Sequence, residues 1–164
     1  MDKRLLSIYL NDHLAGSRGA VGLARRSMKN NEGSPFGDDL MRVAREIEED
    51  RATLEELMEM AGVGRAPMKD GAVWLAERLA RLKLNGRLLA YSPLSRLEEL
   101  EVLRLGIEGK RSLWRNLSEI RAEVEGWEGV DFESLIERAE GQIEVLESHR
   151  IATVRQAFFQ PTTV

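Results

Sequence analysis

The chain has 164 residues, no cysteine, and 28 acids against 24 lysines and arginines, for a formal net charge of −4. That is the size of one domain; the missing cysteines remove disulfides, thiolate zinc sites and thiol nucleophiles together, and the negative balance argues against nucleic-acid coating, which needs a concentrated cationic face. With 43% hydrophobic residues but apolar runs of only a few residues, the chain reads as folded, not membrane-spanning and without a signal peptide, so a cytoplasmic protein is expected.

Helical spacing of apolar residues and a scarcity of β-branched pairs predict helices at roughly 3–29, 35–61, 67–90, 93–125 and 131–159. The first carries Leu6, Tyr9, Leu10, His13, Leu14, Ala20, Leu23 and Ala24 on one stripe. Ser34-Pro35 and Ser92-Pro93 read as caps, because the serine hydroxyl accepts an orphan amide and proline has no amide to orphan. The second stripe is Leu40, Val43, Ile47, Leu54, Leu57 and Ala61. Leu97, Leu100, Leu103, Ile107, Trp114 and Leu117 form the fourth helix's stripe; Asp131 caps a fifth whose stripe runs from Phe132 to Val154. Four long stripes must bury one another, so the expected fold is all-α, an antiparallel four-helix bundle of two hairpins. The third, shorter segment reads as an additional crossover helix. Residues 1–160 then form one helical-bundle domain and 161–164 a flexible tail.

Two antiparallel helix pairs joined by a long crossover resemble the ferritin-like superfamily, a resemblance of layout over nearly the whole chain. It implies a metal centre of carboxylates and two Glu-x-x-His motifs in mid-bundle. Neither motif is present: His13 and His149 have Leu10 and Leu146 three residues before them, and Glu46 meets Glu49 at that spacing. This departs from the family's pattern at its most diagnostic point.

Phase and register indicate what stands there instead. His13 is in phase with Leu6 and Ala20, and Asp50 with Val43 and Leu57. Both should face the core, at matching levels 19 residues before and 18 after a joint near residue 32. Lys110 is in phase with Leu103 and Leu117, and Glu147 shares its level about a joint near residue 128. A crossover would bring both levels within about 10 Å of each other. The expected site is a polar core cluster of His13, Asp50, Lys110 and Glu147, in which the lysine supplies the charge that a metal would bring. The alternative is an iron or manganese site of His13, Glu46, Glu49, Asp50 and Glu147.

Gly16, Gly19 and Gly22 in the first helix, with Gly106 and Gly109 in the fourth, each cost about 1 kcal/mol relative to alanine. Close approach of a neighbouring helix is the expected compensation, and a subunit contact or a narrow ligand space the alternative. Residues 65–87 carry six cations against two acids, whereas 38–59 carry nine acids against three cations, so a basic crossover on acidic helices is expected. Trp74, Arg78, Arg81 and Lys83 are the alternative, a docking stripe for an acidic partner. No nucleophile elbow, triad order or zincin helix is present, so no hydrolase reading has residues to carry it. The expected function is a ferritin-like bundle with a metal-free, ion-paired core and a non-catalytic binding, scaffold or stress-associated role, without cofactor and acting as a homodimer. The alternatives are a di-iron or di-manganese carboxylate oxidase or peroxidase, and an interaction module using 65–87.

Overall fold

A computed structural model describes residues 1–65 and 91–159, and every element among them is helical. Helix α1 spans Lys3–Asn30, α2 Gly37–Met60, α3 Pro93–Glu119 and α4 Phe132–Phe158, with a short 3₁₀ turn at Arg121–Glu123. The expected crossover helix at 67–90, and with it Trp74, Arg78, Arg81 and Lys83, lies outside the described residues.

Local chemistry accounts for most helix ends. Asp2 accepts from the amides of Arg4 and Leu5 to start α1, Ser92 accepts from Ser95 with Pro93 in the first turn of α3, and Asp131 accepts from Ser134 to start α4. Ser34 behaves differently from the expectation. Its hydroxyl accepts from Phe36 in a tight turn, and α2 begins only at Gly37 with no side-chain cap. The turn brings the backbone back on itself: a Cβ at position 37 would lie 3.0 Å from the Asn31 carbonyl oxygen, so glycine is the residue that fits. Helix α3 stops at Glu119, short of the expected 125, and the chain reverses through the 3₁₀ turn and Gly126, whose φ of 90° favours glycine.

Two apolar clusters give the directions. One joins Leu6, Leu10 and Leu14 of α1 to Leu54 and Leu57 of α2, Leu113 and Leu117 of α3, and Phe132 and Leu135 of α4. The other joins Val21 and Ala24 to Leu40 and Val43, Leu100 and Leu103, and Ala139 and Leu146. The start of α1 therefore lies with the end of α2, the end of α3 and the start of α4, so α1 and α4 run one way and α2 and α3 the other. Trp127, fully buried in the α3–α4 connection, closes the first end by donating its indole N–H to the Leu57 carbonyl at 3.1 Å.

The seams are unequal. Helices α1 and α2 pack as one hairpin and α3 and α4 as another; the hairpins meet chiefly through α1 on α3, and α2 touches α4 only slightly. Long polar side chains span that second seam. The candidate site is a cavity bordered by α1, α2 and α3.

No helix among the described residues is long and apolar enough to cross a membrane.

Candidate binding site: a cavity beside an ion-paired layer

Asp50 sits on the inward face of α2 between Ile47 and Leu54 and is only 2% exposed. A carboxylate that deep needs cations, and two reach it. Lys110 of α3 donates to its Oδ2, and Arg138 Nη2 of α4 lies 2.6 Å from Oδ1. Lys110 also donates to Gln142 Oε1 at 2.6 Å, and the amide of this fully buried glutamine donates to Glu46 at 2.9 Å. Glu46 and Arg42 are 3.2 Å apart, and Arg138 also reaches Glu49 at 3.1 Å. This polar layer ties α2 to α3 and α4 in mid-bundle. Burial pulls the Lys110 ammonium below its ordinary pKa, with Arg138 adding to the shift and Asp50 and Glu46 opposing it.

Two members of the expected cluster stand outside this hydrogen-bonded group. Glu147 is bound twice by Arg150 at 2.8 Å and lies 3.3 Å from Arg104, on a more exposed part of α4. The joint explains the difference: with α3 ending at Glu119, the hairpin centres near Gly126, and Lys110 and Gln142 lie at equal distances of 16 residues from it. His13 packs edge to face on Tyr9, with ring centroids 4.7 Å apart. Burial holds its imidazole below the usual histidine pKa, against the opposing pull of Asp12, so it is neutral at pH 7.

The metal donor set does not assemble. Both Asp50 oxygens are engaged by cations, Glu49 pairs with Arg45 and Arg138, and Glu147 pairs with arginines. Among the described residues no group of three or more His, Cys, Asp or Glu side chains is placed to hold a metal ion. The residues present do not fit a carboxylate-bridged pair of metals, which needs acids with free lone pairs converging on one point.

Beside the layer lies a cavity of about 450 Å³ between α1, α2 and α3, with Lys110, Asp50 and His13 among its lining residues. Its walls are mainly apolar, from Leu23, Ile47, Leu54, Leu103, Ile107 and Leu113. Gly16, Gly106 and Gly109 also line it. Among the described residues, a Cβ added at any of these three, or at Gly22, would meet nothing within 4 Å. Among the described residues, therefore, no neighbouring helix closes on these four positions, and three of them border the cavity instead. A volume of this size is in the ordinary range for a small-molecule pocket.

A second buried polar group lies at the other end of the bundle and was not anticipated from sequence. Glu99 of α3 is fully buried, 2.7 Å from Arg26 of α1, and accepts from the Tyr91 hydroxyl at 3.0 Å. Asn31 donates to the same hydroxyl at 2.9 Å, and Arg96 donates to Asn31 Oδ1. Burial pushes the Glu99 carboxyl above its ordinary pKa despite Arg26, and burial with the Glu99 charge pushes Tyr91 up to about 12. The sequence signal was slight: Glu99 sits beside the stripe residue Leu100, where an exposed flank is the ordinary assumption.

Comparison with family models, curated proteins and solved structures finds no match to this chain.

Proposed function

We propose that this chain is a non-catalytic binding protein on a ferritin-like framework, in which an ion-paired layer takes the place of the metal centre and the adjoining cavity takes a small, largely apolar molecule. The helix directions support the framework. Asn11 of α1 donates to the Gly64 carbonyl at one end of the bundle, and Asn31 to Tyr91 at the other, so the chain leaves α2 and enters α3 at opposite ends. Two antiparallel hairpins with a long connection between opposite ends is the ferritin-like order. The observation that carries the binding reading is the cavity itself: three helical glycines line it and face open space, each at a cost in helix stability that no protein contact among the described residues repays.

A thermal-shift screen of small apolar compounds tests it, with Gly106→Leu as the variant that fills the cavity. Binding at one molecule per chain, lost in that variant, is the expected result. Absence of any binder, or binding untouched by Gly106→Leu, overturns the proposal. Ferrous or manganous titration should give no stoichiometric binding; metal retained by the wild type and lost in Asp50→Ala would favour the oxidase alternative.

A further inference from the structure

Resting on the reading of this cavity as a binding site, we infer that its ligand carries an anionic, hydrogen-bond-accepting headgroup, a carboxylate on an apolar chain or ring, and that Lys110 and His13 receive it. The polar groups of the wall are one-sided. An ammonium has three hydrogens, and Lys110 donates two, to Asp50 and Gln142. His13 contacts Tyr9 and takes part in no hydrogen bond among the described residues. The Arg51 Nε and Trp114 Nε1 hydrogens, on two further lining residues, are buried without an acceptor among the described residues.

The one buried side-chain acceptor of the lining without a hydrogen bond among the described residues, Asp50 Oδ1, already has a cation beside it, Arg138 at 2.6 Å. Asp50 has one oxygen held by Lys110 and the other by Arg138, the Ser17 hydroxyl donates to the Leu14 carbonyl at 2.7 Å, and Asp12 is exposed to solvent. Among the described residues lining the cavity, a cationic ligand would find no buried carboxylate without a cation already beside it, whereas an acceptor meets several buried donors. The second cation on Asp50 matters here: a ligand carboxylate can share Lys110 without leaving Asp50 unpaired, because Arg138 remains. The rest of the ligand must be apolar to match the leucine and isoleucine walls.

Decanoate and decanol, equal in chain length and different in headgroup, separate the headgroup inference from the cavity reading when titrated calorimetrically into the full chain. Decanoate is expected to bind once per chain, and decanol about tenfold more weakly, the ordinary worth of one charge-assisted hydrogen bond. Lys110→Met should bring the two affinities together, and Gly106→Leu should abolish both. If Lys110→Met does not fold, Lys110→Gln, which keeps an amide donor but no charge, takes its place. Equal affinity for acid and alcohol in the wild type, or a preference that survives loss of the lysine charge, overturns the headgroup inference and leaves the cavity reading standing. Failure of both compounds to bind, or indifference of both to Gly106→Leu, overturns the two together.

Discussion

Replacing Gly106 and Gly109 by alanine should stabilise the protein. Both lie inside α3, neither has a positive φ, and a Cβ at either position meets no heavy atom of the described residues within 4 Å. Alanine therefore adds no clash and removes backbone freedom from the unfolded chain. Each change should contribute about 0.5–1 kcal/mol, and the pair about 1–2 kcal/mol. For a chain of this length that corresponds to a rise in Tm of about 2–8 °C. Urea denaturation followed by circular dichroism would read it as a higher midpoint with an unchanged slope. The singles should be measured as well as the double, because residues one turn apart can couple. A loss of stability in either single variant would refute the reasoning, since it would mean that protein already fills the space that the added methyl enters. The same variants should weaken any cavity ligand, so that stability and binding move in opposite directions.

The ion-paired layer predicts an asymmetry. Asp50→Leu leaves Lys110 buried without its carboxylate and should cost about 3–5 kcal/mol, whereas Lys110→Met leaves Asp50 with Arg138 and should cost less; equal losses, or a fully additive double-mutant cycle, would contradict the geometry. Because burial lowers the His13 pKa from 6.5, the unfolded chain binds more protons there below that pH, so stability should decline as pH falls through the lowered value. His13→Gln should flatten that decline, which denaturation series between pH 5 and 8 would detect. At Glu99 the sign is opposite: its raised pKa contributes stability that is lost as pH rises through the raised value, so Glu99→Gln should improve relative to wild type between pH 4.5 and 7.5. An unchanged difference between those two pH values would count against a perturbed Glu99. Arg26→Met should cost about 3 kcal/mol at pH 7, by leaving a fully buried carboxylate without its cation, and a neutral outcome would show that the hydroxyls of Tyr91 and Ser27 suffice.

What could be read from the chain itself is what local physics controls. The helical character of the described elements, the Ser92-Pro93 and Asp131 starts, and the inward phases of Asp50 and Lys110 all follow from a 3.6-residue period and from orphan amides near a cap. Which inward residues meet is a different kind of quantity. It depends on where each helix stops, and at about 1.5 Å per residue an early end shifts every cross-helix partner by a comparable length. Helix α3 ends at Glu119 because the chain turns through Arg121–Glu123 and Gly126; that places Gln142 and Arg138, not Glu147, at the level of Lys110 and Asp50. The glycines carry the same lesson. Their positions in the chain mark a cost, but whether a neighbouring helix closes on them depends on how the two hairpins pack. Only the tertiary structure, with a cavity bordered by α1, α2 and α3 beside a buried ion pair, showed what those positions face.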